Sequence, residues 1–465
     1  MRRALPLLLL TGCVVGPDYA PPATATPAAW TRAEGEKIDA GTADVSRWWA
    51  VFRDPLLEAL VARAVEGSPD LRIAAARVRE ARAAAGVARG ALLPEIAAGG
   101  SYERRKTSGN VFTFPGADLH QSRYAAGFDA AWEIDLFGGL RRDVEAAGAD
   151  AQAAEEDARA VLVTLRAETA RVYVELRGAQ RRRAVLRAQA ASAADRLALL
   201  KSRLAAGVAT ALDVAREEAL LHATESGVPP AEADVARAVH RLGVLLGRDP
   251  GALVAELAAD GPIPVPPARI VVGLPAALLA RRPDVRRAER ELAAATARIG
   301  VATAEFYPKI SLTGAFGLES LRASDLFETG SRAWSLGPAV RWPIFTAGRL
   351  RAGVDAAEAR QARALAAFEG AVLAALEEVE NALVGYLREG DRRRSLERAL
   401  EAGRRALALS EDLHRQGLAN FLDVLTAQRS VQLDELALAS SDAALTLFCV
   451  ALYKALGGGW EPASP

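Results

Sequence analysis

PDLRIAAARVREARAAAGVARGALLP, residues 69–94, returns as PDVRRAERELAAATARIGVATAEFYP, residues 283–308, with the bracketing prolines 25 positions apart both times. A second pair repeats at nearly the same offset: Gly207-Val-Ala-Thr-Ala-Leu-Asp213-Val214 and Gly417-Leu-Ala-Asn-Phe-Leu-Asp423-Val424, about 210 residues apart. Each copy reads as helix, strand pair, long helix, helix. A duplication of this size implies two similar halves round a shared axis, so the 465 residues make one elongated body.

Between the repeated helices the hydrophobic period changes from helical to alternating. Tyr124, Ala126, Phe128, Ala130, Trp132, Ile134 and Leu136 alternate with polar residues that include Arg123, Asp129, Glu133 and Asp135. The pattern recurs at Ile310, Leu312, Phe316 and Leu318, at Trp334, Leu336, Val340, Trp342 and Ile344, and more weakly at Ile96, Ala98, Gly100 and Tyr102. Such strands suit a soluble sheet packed on helices, or an outer-membrane barrel whose apolar face meets lipid. No window reaches 18 consecutive apolar residues, so any membrane crossing is expected to use strands. Four strands cannot close a membrane barrel, which needs about eight. Several copies would share one, and strand counting leaves dimer, trimer and tetramer open.

A proline-free tract follows each strand pair, one from about Gly139 to Ala206 and one from about Ala347 to Gln416. At 1.5 Å per residue each helix would run about 100 Å. In the first, Leu165, Val172, Ala179, Leu186, Ala193 and Leu200 recur every seventh residue, with Leu162, Thr169, Leu176, Ala190, Leu197 and Leu204 between them. That is a coiled-coil seam, interrupted by Arg183. Gly207 and Gly417 supply left-handed caps that reverse the chain into hairpins, and Pro229-Pro230 is expected to kink the first return helix.

The N-terminus carries Arg2-Arg3, a short apolar run and Leu10-Thr11-Gly12-Cys13, the layout of a bacterial export signal. It resembles a lipobox, in which Cys13 is acylated and the chain is cut before it. Val14 in the next position points to the outer membrane. Residues 14 to about 45 read as an extended tether. The other cysteine, Cys449, sits in an apolar helical run and reads as a buried inert thiol.

With these pieces in place the chain resembles the TolC-like outer-membrane factor family, in the outer-membrane lipoprotein branch that serves RND-type efflux systems. The resemblance is carried by Cys13-Val-Val-Gly-Pro-Asp-Tyr19, Trp48-Trp49-Ala-Val-Phe52, both Pro-Asp helices, Trp132-Glu-Ile-Asp-Leu-Phe137-Gly, Pro343-Ile-Phe-Thr-Ala-Gly348 and both hairpin tips. It implies a mainly α fold with membrane β: a homotrimer forming a 12-stranded barrel, four strands per chain, continuous with a long α-helical coiled-coil barrel. The implied function is a passive exit duct for small molecules, docked by a periplasmic adaptor (membrane fusion) protein and fed by an inner-membrane RND-type pump. It also implies a periplasmic gate at Leu422, Asp423 and Thr426, where the family often has an aspartate in place of Thr426. Adaptor-docking tips would be Gly207, Val208, Gly417 and Leu418. For Asp213 and Asp423 the plainer alternative is charge compensation at a helix N-terminus.

The expected organisation is a signal at 1–12, a lipid-anchored tether at 13–47, a first repeat at 48–257 and a Pro-rich connector at 258–275, followed by a second repeat at 276–465. Strands are expected at about 95–105, 122–137, 309–319 and 333–345, and helical hairpins at about 139–246 and 347–456. Basic and acidic residues balance at 58 each, so no attraction to nucleic acid is indicated. The four histidines, His120, His222, His240 and His414, form no metal-ligand spacing, and no phosphate loop or nucleophile elbow occurs. No enzyme activity, metal or cofactor is therefore expected, only diacylglycerol and fatty acyl groups on Cys13. Two other readings remain at this point: a lipid-tethered periplasmic coiled-coil scaffold, and a type I secretion duct.

Overall fold

A computed structural model describes residues 14–24, 26–31, 38–39, 45–108, 110, 120–267 and 269–460; Cys13 and the export signal lie outside them. In chain order the elements are β1 (Ile38–Asp39), a 3-10 turn at Trp48–Phe52, α1 (Pro55–Gly67), α2 (Pro69–Gly90), β2 (Glu95–Lys106), β3 (His120–Ile134) and α3 (Gly139–Ala205). Then follow α4 (Ala211–Glu225), α5 (Val228–Leu245), β4 (Ile270–Val271), α6 (Pro275–Arg281), α7 (Pro283–Ala304), β5 (Lys309–Ser320), β6 (Arg332–Arg341), α8 (Arg349–Arg415) and α9 (Phe421–Ala455). The chain divides into two compact units, and each draws matching pieces from both repeats. One contains Ala76–Glu155 and Arg287–Glu369, the other Glu156–Arg286 and Gly370–Pro465.

The first unit holds an antiparallel sheet in the order β2-β3-β5-β6. The central β3–β5 pairing joins the two repeats, and its register puts Ala98, Phe128, Phe316 and Trp334 in one row across all four strands. This face stays bare: Phe316 is 61% and Trp334 77% exposed. The opposite face carries small and charged residues, with the Arg123 guanidinium donating to Glu319 at 2.7 Å. In the middle of that face Gly127 stands opposite Gly317, where a Cβ on Gly127 would lie 2.7 Å from the Gly317 Cα.

Two strands end earlier than the alternation suggests. The Asp135 carboxylate accepts the Leu140 and Arg141 amides at 3.2 and 2.9 Å, turning the chain into α3 after Ile134 instead of residue 137. β6 stops at Arg341, because Pro343 has no N–H to continue the ladder.

The N-terminal segment is extended but held fast. The Val15 amide donates to Phe137 O at 3.1 Å, while Arg142 donates to Val15 O at 3.1 Å, Gly16 O at 3.3 Å and Asp18 at 2.6 Å. Gly16 adopts φ +88°, and a Cβ there would lie 2.3 Å from the Gly300 Cα. Glycine is required on both counts.

The second unit is a helical body. α3 and α8 are 67 residues long, and Leu165, Thr169, Val172, Leu176, Ala179, Ala193, Leu197 and Leu200 of the α3 seam are buried. Leu204, at the end of that series, is exposed. Arg183 interrupts the seam by pairing with Asp260. Trp48 is buried and stacks on Tyr453 at 5.6 Å between ring centroids, anchoring the Trp-Trp segment. Cys449 is buried, and burial pushes its thiol pKa up, so it stays inert.

One expectation is corrected here. The first return helix breaks instead of kinking: α4 stops at Glu225, and α5 restarts at Val228 with proline in its opening turn. A missing N–H costs nothing in a first helical turn. α9 is long and apolar enough to cross a membrane by length and composition only, although Ser440, Ser441 and Asp442 interrupt its apolar run and much of it is buried within the chain.

Candidate functional site

Both hairpin tips are built the same way. α3 ends at Ala205, Gly207 adopts φ +77°, and the Val208 amide reaches back to Arg203 O at 2.9 Å. α8 ends at Arg415, Gly417 adopts φ +75°, and the Leu418 amide reaches Leu413 O at 2.9 Å. Six-to-one closure with glycine in the left-handed region is the Schellman cap. It turns the next side chain outward, leaving Val208 74% and Leu418 72% exposed.

The return helices start on reciprocal capping boxes. The Thr210 hydroxyl accepts the Asp213 amide at 3.2 Å, and Asp213 accepts the Thr210 amide at 3.2 Å. At the second tip Asn420 Oδ1 accepts the Asp423 amide at 3.1 Å, and Asp423 Oδ2 accepts the Asn420 amide at 3.2 Å. Two otherwise unpaired amides are thereby satisfied at each helix start.

Leu422, Asp423 and Thr426 share the exposed side of the first turns of α9, while Val424, Leu425 and Gln428 face inward. The Thr426 hydroxyl turns back to Leu422 O at 2.8 Å. His414 Nδ1 lies 3.1 Å from Ala419 O, and its ring packs on Phe421 at 5.6 Å, clasping the second tip. That clasp was not foreseen from sequence. Further along the first hairpin Arg196 of α3 donates to Glu217 of α4 at 3.0 Å, and burial raises the Glu217 pKa although Arg196 pulls it down.

Among the described residues no cluster of three His, Cys, Asp or Glu side chains is arranged to hold a metal. The bare features are instead two apolar tips, one polar turn at the start of α9, and a sheet with an apolar face and two open edges.

A duplicated chain of long helices and an open amphipathic sheet defines a channel subunit, and comparison with known proteins gives its family. The outer membrane efflux protein family model matches residues 60–248 and 274–458. The chain is 34% identical over 460 residues to nodulation protein T of Rhizobium leguminosarum bv. trifolii, covering 98% of this chain and 96% of the relative. It is equally 34% identical over 460 residues to the toluene efflux pump outer membrane protein TtgF of Pseudomonas putida, covering 97% and 95%. Among solved structures, the outer-membrane channel OprN is similar with a TM-score of 0.91 and 39% identity, covering 97% of this chain and 100% of that one. The chain belongs to the outer membrane efflux protein family, with the TolC-like fold of these channels, and its function is that of an outer-membrane exit duct.

Proposed function

We propose that the chain acts as a homotrimer, each copy giving four strands to a 12-stranded outer-membrane barrel that continues into an α-helical barrel. Small molecules delivered by an inner-membrane RND-type pump, through a periplasmic adaptor, leave passively through it. The toluene named for the relative TtgF supports a small-molecule cargo. The observation that carries the reading is the bare apolar face on a four-stranded sheet with open edges at β2 and β6. Unpaired edges are untenable in lipid, so other copies must supply the missing partners.

Acylation of Cys13 adds an anchor. It is supported by the clasp on Val15, Gly16 and Asp18, which holds the residues after Cys13 beside the end of β3. Gly207, Val208, Gly417 and Leu418 form the adaptor-docking tips, since both exposed apolar side chains stand at chain reversals. Leu422, Asp423 and Thr426 form the gate. A ring of three Asp423 carboxylates would favour cations. The repeats at 48–257 and 276–465, joined at 258–275, are the units of duplication.

Phe316→Arg tests the reading. A charge on a lipid-facing strand costs about 2–4 kcal/mol at mid-membrane, so outer-membrane fractions should lose the protein. On a water-facing sheet the same exposed position would accept arginine, and unchanged membrane yield would favour the soluble scaffold.

A further inference from the structure

The two faces of the sheet also differ in how they carry charge. The register runs unbroken from β2 to β6, so the even-numbered residues of all four strands share the face of Phe128, Phe316 and Trp334. Among the described residues no acid stands on this face. All five acids of the strands, Glu95, Glu103, Asp129, Glu133 and Glu319, are on the other. Lysine and arginine occur on the apolar face only where the strands end away from the helices: Arg104 and Lys106 close β2, and Arg332 opens β6. The helices join at the opposite end, α2 leading into β2 and β3 leading into α3.

Arg104, Lys106 and Arg332 are exposed, and among the described residues they make no ion pair or side-chain hydrogen bond. On the other face, by contrast, Arg123 donates to Glu319 at 2.7 Å and stands opposite Glu103. His120 lies across the ladder from Lys106, and the turn after β5 adds Arg322, Asp325 and Glu328. The outer end of the apolar face thus keeps a net positive charge. At the helix end the same face offers indoles instead: Trp132 donates to Leu92 O at 2.9 Å and Trp342 to Phe306 O at 3.0 Å.

The height of these bases suits a headgroup layer. Tyr102 and Tyr124 pair across the strands just below Arg104, with ring centroids 4.8 Å apart. Aromatic girdles mark the edges of the apolar band. At about 3.4 Å per residue, Arg104 and Lys106 lie about 7 and 14 Å further along β2 than Tyr102. Their long stems carry the charges into the polar layer.

We propose that Arg104, Lys106 and Arg332 form a phosphate-binding rim for a glycolipid of the outer leaflet that bears phosphate monoesters, of the chemical type of lipid A. The rim presupposes the membrane reading above and adds which lipid the outer edge of the sheet holds. A phosphate monoester carries more than one negative charge near neutral pH, and a guanidinium meets it with two parallel hydrogen bonds. A zwitterionic phospholipid fits less well, because the strands offer its ammonium group no carboxylate on this face.

Native mass spectrometry of the full-length protein in detergent tests this, with lipid A and phosphatidylethanolamine added at equal concentration. The wild-type oligomer should retain lipid A in preference. Excess inorganic phosphate should not displace it, since the acyl chains lie along the apolar face; displacement would overturn the lipid assignment. The triple variant Arg104→Gln, Lys106→Gln, Arg332→Gln should lose lipid A affinity about tenfold, the loss of one charge-assisted hydrogen bond. Arg105→Gln with Arg341→Gln, on the other face, should bind as the wild type does. Each single glutamine variant is read in the same way, so the test stands even if the triple variant fails to assemble. Undiminished lipid A retention by the rim variants overturns the proposal. A wild-type oligomer with no preference for lipid A overturns the rim and leaves the duct standing, whereas a detergent-independent monomer overturns both.

Discussion

Asp423 serves its own helix first. Its carboxylate closes a capping box with Asn420, and Asp213 does the same with Thr210 in the other hairpin. Replacing Asp423 with alanine would therefore mix two losses, a cap that is typically worth about 1 kcal/mol and a charge. Asp423→Asn removes the charge and leaves a side-chain oxygen able to accept the Asn420 amide. In planar bilayers the variant should show reduced cation preference with unchanged oligomer yield. Unaltered ion selectivity would leave Asp423 a cap alone. The sequence placed both aspartates in opening helical turns and named this plainer role. It could not decide between the two, because a capping box and a gate ask for the same residue in the same turn.

At the scale of elements, the half-buried Arg196 pairs with the buried Glu217 and ties α3 to α4. An acid whose pKa is raised by folding binds its proton more tightly when folded. This pair should therefore contribute stability that is fully present below the ordinary glutamate value of 4.5 and is lost as pH rises through the raised pKa. The sign is opposite to that of an exposed ion-paired carboxylate. Urea midpoints of the full-length protein at pH 5 and pH 7, compared with those of Glu217→Gln, isolate the effect as a difference of differences. An identical pH dependence in both proteins would refute it. Nothing in the sequence singles out Glu217, which sits between Arg216 and Glu218 in a helix with charges on every side. The long helices were legible because a proline-free tract ending in glycine leaves few alternatives. Strand ends were not, because Asp135 and Pro343 override the alternation locally.

For the whole molecule, the proposed assembly turns on the bare apolar face of the sheet. Alternation in the sequence located the apolar side of the sheet. It could not say that this side would stay uncovered, since a soluble sandwich has the same period. The alanine-rich α2 and α7 read almost alike, yet α7 is largely buried and α2 largely exposed. That difference comes from where the repeats meet, not from either helix. The proposed anchor would act on the molecule as a whole. Cys13→Ser should abolish incorporation of labelled palmitate while oligomer yield is kept, because the clasp is made through Val15, Gly16 and Asp18. Label persisting in the variant would refute acylation at Cys13.

The clasp also sets an order of events in biogenesis. Gly16 closes against Gly300, which is translated and exported long after the N-terminus has emerged. The leading segment therefore waits unfastened while more than half the polypeptide follows it. That interval would leave time for the proposed acylation of Cys13 before the segment closes over the newly arrived α7.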